Sequence, residues 1–570
     1  MKNLPYEING GPVNGTSPNG EGDATPRDPT WVPVSEQPVF TPRKLKVICV
    51  GAGYSGLMLA YKYKYETPMD DYVDLTIYEK NHDVGGTWLE NRYPGVACDV
   101  PAHIYTFSFE PNPDWSCFYS SGPEIWEYIK RTTVKYGLDE KVQFNSKVIE
   151  TVWDESSGKW RVKVDQQGTI IETEADVLVN AAGILNKWCW PDIPGIDTYK
   201  GKKVHSARWD PDLDWAGKRV AIIGNGSSAI QILPQMQKTA GHTTTYVRSP
   251  TWITPNFAAH LARDGKNFEY TEEEKRRFRE EPRALFEYRK NIEHNFNKFF
   301  YTFLKDSPDQ QAAFEACTES MQQGLNHDDR LCEKIIPKWP VGCRRATPGE
   351  GYLEALCAKN VDVESDKIIG FTENGIKTAA GEREFDIVVC ATGFDVSFTP
   401  YWKLVGKNGV WLADQWKDIP EAYFGICAAN MPNYFIFNGP NCPAGHGSLL
   451  AVMEWTAEYI LRWCRKIAKQ DIKSVTVKPD VVHEYNVYSQ EYLKRTVFTG
   501  GCRSWYQSRK DGRVTAMYGG SVLHYKENLE EFRTEDFEFE YRSPNRFRFL
   551  GNGLTIREKE GGDLGFYVKK

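Results

Sequence analysis

The chain has 570 residues, 41% hydrophobic and 26% charged, enough for more than one ordinary soluble domain. Its net charge of -7 gives no electrostatic basis for holding nucleic acid or an anionic membrane. No apolar run follows Met1-Lys2 as in a secretory signal, and the longest apolar helical pattern, residues 448–464, carries Glu454, Glu458 and Arg462, which suits a core helix and not a membrane span.

Residues 1–44 are rich in Gly, Pro, Asn and Ser. Disorder is expected for their first part, and "WVPVSEQPVF" from Trp31 is expected to form an arm on the body. Order begins at Lys44, where "KLKVICV" reads as a buried strand running into Gly51-x-Gly53-x-x-Gly56. Helical spacing follows in "LMLAYKYKY", then a strand over residues 73–80 and another in "DVLVNAAG" from Asp176. The strand–Gly turn–helix pattern repeats at "KRVAIIGNGSSAIQILPQM" from Lys218, with its next strand ending at Ser249. Residues 256–335 turn helical, with a capping box at Thr271–Glu274, and "DIVVCATG" from Asp386 repeats the earlier "DVLVNAAG". Strands alternating with helices predict an α/β fold of two Rossmann-like dinucleotide-binding domains, the second carrying the helical insertion. The expected boundaries are 1–44 for the extension, 45–185 and 386–570 for the two parts of the first domain, and 186–385 for the second.

Each Gly-rich turn is a phosphate cradle in sequence terms. In the first, Gly51 permits the tight turn, Gly53 lets a pyrophosphate approach the backbone, and Gly56 lets the helix pack on the sheet, with Ser55 in the first turn. Glu79 ends the following strand, where a carboxylate takes ribose hydroxyls. The second cradle comprises Gly224, Asn225, Gly226, Ser227, Ser228 and Ala229, and here Arg248, followed by Ser249, ends the next strand. A carboxylate would repel a 2'-phosphate and a guanidinium binds it bidentately, so the first cradle suits FAD or NAD and the second NADP. Two such domains imply electron transfer from NADPH to a flavin.

Thirteen cysteines are scattered with no C-x-x-C pair, which predicts reduced thiols in a cytoplasmic protein and sets aside a dithiol reductase. No metal site is expected, since His205 has no second His at ligand spacing.

The stretch Tyr199-x-Gly201-x-x-x-His205-x-x-x-Trp209-Asp210 resembles the fingerprint of Baeyer–Villiger monooxygenases, with Tyr in place of the usual first Phe. Gly86-Thr87-Trp88-x-x-x-x-Tyr93-Pro94-Gly95-x-x-x-Asp99 is similar to a second signature of that family. "VGCRRATPGEGYLEAL" from Val341 looks like its fungal branch, and residues 501–521 look like its mobile loop over the cofactor. An N- or S-oxygenating flavin monooxygenase is the alternative, and such enzymes usually lack the Trp.

The resemblance implies bound FAD and NADPH, capture of O2 as a C4a-peroxyflavin, and insertion of one oxygen beside a ketone carbonyl to give an ester or lactone. It implies that Arg345 stabilises the anions electrostatically and that Asp99 positions it; an arginine stays protonated and cannot act as a base. It further implies that Thr87, Trp88, Leu89, Glu90, Asp99, Tyr105 and Val148 contact FAD, that Ala97, Cys98 and Asp99 approach the nicotinamide, and that Trp505 closes over NADP. Arg344 would help Arg248 hold the 2'-phosphate, and His205 would be a hinge residue between the domains. A monomer or weak homodimer is expected.

Overall fold

Leu45–Val50 is the middle strand of a five-stranded parallel sheet, ordered Tyr434–Ile436, Val177–Asn180, Leu45–Val50, Val73–Tyr78, Val142–Gln143. The computed structural model describes residues 28–255, 263, 266–443 and 445–569. Val177–Asn180 is buried on both faces and Leu45–Val50 nearly so, which is why both read as unbroken apolar runs and not as alternations. Helix Tyr54–Tyr61 packs on Leu449–Lys469, the long apolar pattern, which is a core helix burying Val452, Tyr459, Ile460 and Trp463. No helix among the described residues is long and apolar enough to cross a membrane.

One charge is buried at that helix pair. Lys62 is 1% exposed and meets Glu66 at 2.5 Å, Glu454 at 3.0 Å and Glu458 at 2.8 Å. Burial pushes the Lys62 pKa down, but the three carboxylates win and raise it above its ordinary value. The ammonium thereby ties the first helix to the long one.

A second parallel sheet repeats the first, in the order Val361–Glu364, His242–Tyr246, Arg219–Ile223, Ile387–Cys390, Lys202–His205. Ile387–Cys390 pairs with Arg219–Ile223, so the domain boundary expected at 385 falls one strand too early. A strand's partner is set by tertiary approach, which its own sequence does not encode. The helical insertion forms Glu272–Glu280, Pro282–Lys298, Pro308–Gly324 and Asp329–Ile335, and Thr271 with Glu274 makes the capping box. A further sheet of Lys403–Val405, Ser146–Asp154, Lys159–Gln166 and Thr169–Ala175 carries Val148.

The expected disorder of the first residues falls largely outside the described part of the chain. The arm pairs with the C-terminal segment: Val39 N–H donates to Leu554 O at 2.8 Å and Phe40 stacks on Phe549 at 5.3 Å. Residues 28–41 cluster with 541–569 in one compact unit and the described residues of 42–540 form the other, so the C-terminal segment is not part of the first domain as expected.

Candidate active site

The two cradles have the same construction. Gly51 has φ +109° and Gly224 φ +115°, where a side chain is strained. A Cβ on Gly51 would lie 2.6 Å from Ala181 O, and one on Gly224 would lie 2.4 Å from Ala391 O. The ends of the two similar strands, "AAG" and "ATG", therefore press on the first glycine of each cradle. A Cβ on Gly226 would meet nothing within 4 Å, so the backbone there faces open space. Gly53 and Gly226 are the N-caps of helices Tyr54–Tyr61 and Ser227–Met236, and neither helix has a capping side chain or an acidic residue in its first turn. Free N–H donors, the positive helix end and an uncovered backbone fit a pyrophosphate.

Glu79 is buried at the end of its strand. Its Oε2 accepts from Ala52 N–H at 2.8 Å, and Oε1 accepts from the Asn81 backbone and side chain at 2.9 and 2.8 Å. Burial raises its pKa, while the two backbone donors hold it down. It thus braces the Gly51 turn, a role beyond the ribose contact read from sequence. Ser55 is buried in the first helical turn.

Residues 86–105 run from the first cradle to the second. Thr87–Glu90 is a single helical turn entered from Gly86 at φ +51°. Within it Leu89 is buried, and Glu90 pairs with Lys80 at 2.8 Å. Trp88 Nε1–H donates to the Tyr105 hydroxyl at 3.3 Å, and Tyr54 donates to Tyr105 O at 3.3 Å. Further on, the Tyr93 hydroxyl donates to Gln231 Oε1 at 2.9 Å, and Gln231 Nε2–H donates to Ala97 O at 3.0 Å. Gln231 lies on helix Ser227–Met236, so this helix carries the segment on its flank. Sequence reading missed Gln231, which carries no motif. Cys98 is buried and burial pushes its thiol well above the ordinary range, which fits packing and not nucleophilic attack. Val148, expected to contact FAD, is fully buried in an apolar core cluster.

Arg345 and Asp99 meet where this segment passes the second cradle. Arg345 Nε–H and Nη2–H donate to Asp99 Oδ2 at 3.2 and 2.5 Å. Asp99 raises the pKa of the guanidinium against the effect of burial. The Arg345 side chain nonetheless keeps 37% of its surface accessible, so part of the guanidinium is open to a ligand. Tyr506, also absent from the sequence reading, lies within the field of Arg345; burial lifts its pKa to about 12 and keeps it a neutral phenol.

Arg344 turns away from its neighbour. It donates to Pro250 O at 3.0 Å and to Arg503 O at 3.3 Å, and its face lies over Trp339. Burial lowers its pKa, and so does the charge of Arg248. Two guanidinium groups thus share one field, and no carboxylate among the described residues pairs with either. Such a pair is chemically suited to an anion. Around it Asn225 Nδ2–H donates to Ser249 O at 2.8 Å and Ser227 Oγ shares a hydrogen bond with Thr347 at 3.0 Å, while Ala229 is buried below. Trp505 is half-buried and packs edge-on against Tyr506 at 4.7 Å.

The expectation that every thiol is reduced is overturned here. Cys343 and Cys502 form a disulfide across 159 residues, with Cα atoms 6.1 Å apart; the remaining cysteines are free. Spacing rules find pairs close in sequence, whereas this pair is made by two loops meeting in space.

His205 sits where the chain crosses between the sheets. Its Nδ1 accepts from Ala207 N–H at 3.1 Å, which leaves the proton on Nε2 to bond Thr392 Oγ1 at 3.2 Å. Trp188, from the outward crossing, stacks on the ring at 4.7 Å, and Thr392 belongs to the returning one. Burial lowers the His205 pKa to about 4, so the imidazole is neutral.

Two parallel sheets with matched cradles, and an arginine–aspartate pair between them, define a protein of two dinucleotide folds sharing one site. The flavin-binding monooxygenase-like family model matches residues 44–262. The FAD-binding monooxygenase tazF of Aspergillus terreus is 50% identical over 544 residues, covering 94% of this chain and 97% of the relative. A Baeyer–Villiger monooxygenase of Pseudomonas aeruginosa is 34% identical over 86% of this chain and 90% of its own length. The crystal structure of cyclohexanone monooxygenase from Rhodococcus sp. Phi1 bound to NADP+ superposes with a TM-score of 0.76 at 25% identity, covering 88% of this chain and 100% of that one. The chain belongs to the flavin-dependent Baeyer–Villiger monooxygenases.

Proposed function

We propose that the chain inserts one atom of O2 next to a ketone carbonyl, at the expense of NADPH, and releases an ester or lactone and water. FAD belongs to the Gly51 cradle and NADPH to the Gly224 cradle, and the flavin supplies the activation of O2. The observation that carries this reading is Arg345, held by Asp99 between the two cradles with part of its surface left accessible.

Attack on a carbonyl places negative charge on its oxygen. A fixed guanidinium stabilises that charge without reorganising, and worth of this kind is typically ~3–4 kcal/mol for one preorganised donor. Asp99 orients the fork and keeps it charged. Tyr506 adds a neutral donor beside it. Arg248 and Arg344 read the 2'-phosphate, and Trp505 covers the coenzyme. A monomer or weak homodimer in the cytoplasm completes the reading. A panel of linear, cyclic and polycyclic ketones tests it: ester formed in step with NADPH oxidised supports it, and NADPH oxidation with no oxygenated product from any ketone overturns it.

A further inference from the structure

The disulfide joins two loops at the points where their site residues begin. Cys343 immediately precedes Arg344 and Arg345, and Cys502 immediately precedes Arg503, Trp505 and Tyr506. The far end of the second loop is anchored otherwise. Asn441 Nδ2–H donates to Val514 O at 2.9 Å and Met517 O at 2.8 Å, and Val514 and Met517 pack with Leu493, Val497 and Phe498. Between these anchors Arg503, Arg509, Lys510 and Arg513 are exposed. At the near end, apart from the covalent bond, Arg344 donates to Arg503 O at 3.3 Å and more distantly to Cys502 O at 3.5 Å. Trp505 and Tyr506 themselves pack in the cluster of Leu493, Val497 and Phe498, and Gln507 Nε2–H donates to Phe498 O at 2.7 Å, so releasing the sulfurs would free residues 502–504 and loosen Arg344.

We propose that Cys343 and Cys502 are a reversible redox strap that fixes the loop of Trp505 and Tyr506 against the loop of Arg344 and Arg345. Closure takes hydrogen peroxide as oxidant: one thiolate attacks a peroxide oxygen, the O–O bond breaks with loss of water, and the second thiol displaces a second water to form the S–S bond. Two thiols thus lose two electrons and two protons to one peroxide. Opening takes a dithiol, which attacks one sulfur, leaves as its own disulfide and returns both thiols. The neighbouring guanidinium groups favour the thiolate that both steps need. Cys343 is 0% and Cys502 4% exposed, so exchange requires the loop to lift, and a ligand held beneath it slows exchange. The reversible character rests on the cytoplasmic, NADPH-using reading above, because a disulfide in such a compartment is transient and redox-responsive.

The test uses the full-length holoenzyme without substrate. After alkylation, a non-reducing peptide map of peroxide-treated protein should show the Cys343 peptide joined to the Cys502 peptide, and dithiothreitol should abolish the link. Limited trypsin digestion should cut at Arg503, next to Cys502, roughly tenfold faster in the reduced protein, within the usual span of coupling between two sites. Cys502→Ser should be cut at the fast rate and ignore both reagents. NADP+ should leave the oxidised protein more slowly than the reduced one. No linked peptide after peroxide, or loop cleavage unchanged on reduction of the wild-type chain, overturns the strap. These readouts need no coenzyme, so absence of NADP+ binding in both states would instead refute the coenzyme assignment.

Discussion

Arg345 aims two donors, Nε–H and Nη2–H, at a single oxygen of Asp99, Oδ2, across 246 residues of sequence. One edge of the guanidinium is thereby committed to the carboxylate, and the direction of the rest is set by it. A carboxylate that binds one edge of an arginine acts as a positioning residue. It also opposes any loss of the proton, so the charge is present at every pH where the protein is folded.

Removing this cation should separate two steps. Hydride transfer from NADPH develops no negative charge at Arg345, so flavin reduction should persist in Arg345→Ala, though slowed. Ester formation should fall by ~100-fold or more, the scale for losing a preorganised partner of an oxyanion. Arg345→Lys should recover only part, because an ammonium lacks the planar fork that Asp99 orients. Asp99→Asn should show a milder defect, since the cation remains but is less fixed. Stopped-flow reduction without oxygen, followed by mixing with oxygen and ketone, separates the steps. Ester formation near the parent rate in Arg345→Ala would reduce the residue to a structural one.

Coenzyme choice should follow Arg248. A charged hydrogen bond is worth ~1.5–3 kcal/mol, so Arg248→Ala should weaken NADPH roughly ten- to a hundredfold and leave NADH little changed. Arg344→Ala should weaken both coenzymes, because Arg344 also holds the loop through Arg503 O. Steady-state KM values for the two coenzymes decide it. Equal losses for NADPH and NADH in Arg248→Ala would show that it does not read the phosphate.

The strands and cradles are legible because their signals are local. Leu45–Val50 is an apolar run ended by a glycine turn, and Thr271 and Glu274 stand three residues apart. Asp99 and Arg345 were found only through motifs, since nothing near either residue announces the other. Gln231, Tyr506 and the Cys343–Cys502 bond escaped notice because each acquires its partner from a distant loop. The same holds for Ile387–Cys390, whose four buried residues suit either sheet and whose neighbour is decided by chain path.

Stability should depend on pH through buried groups with opposite signs. Burial, joined by the charge of Arg289, lowers the His103 pKa from 6.5 to about 3, and burial lowers that of His446 to about 4. Both ring nitrogens of His103 are buried without a partner among the described residues. The native state therefore binds fewer protons than the unfolded chain below pH 6.5, and stability is lost as pH falls through that value. His103→Leu should shed part of this loss between pH 7 and 5. Glu293 acts oppositely: burial raises its pKa from 4.5 to about 7 against the pull of Arg289, so its contribution is lost as pH rises from 4.5 through 7. Glu293→Gln should accordingly raise the melting temperature at pH 8 and leave it nearly unchanged at pH 4.5. Parallel melting curves for Glu293→Gln and the parent across that range would remove Glu293 from the account.

Two glycines of the second cradle should respond in different ways to the same added methyl group. Gly224 adopts φ +115° and its Cβ would lie 2.4 Å from the Ala391 carbonyl oxygen, a backbone atom fixed in the sheet. Gly224→Ala should therefore destabilise the fold by ~1–3 kcal/mol from backbone strain alone, and by more once the contact is added. Gly226 has φ -83°, which any residue accepts, and its Cβ would meet nothing within 4 Å. Gly226→Ala should melt at the parent temperature, yet the methyl would stand in the space assigned to the coenzyme pyrophosphate and keep it from the free N–H groups of helix Ser227–Met236. NADPH and NADH should both weaken, since the pyrophosphate is common to them, and FAD content should not change, since Gly226 lies in the other cradle. Calorimetry with coenzyme titration and flavin absorbance on the two variants tests the assignment. A Gly226→Ala protein that keeps parent affinity for NADPH would show that the coenzyme does not lie over this turn.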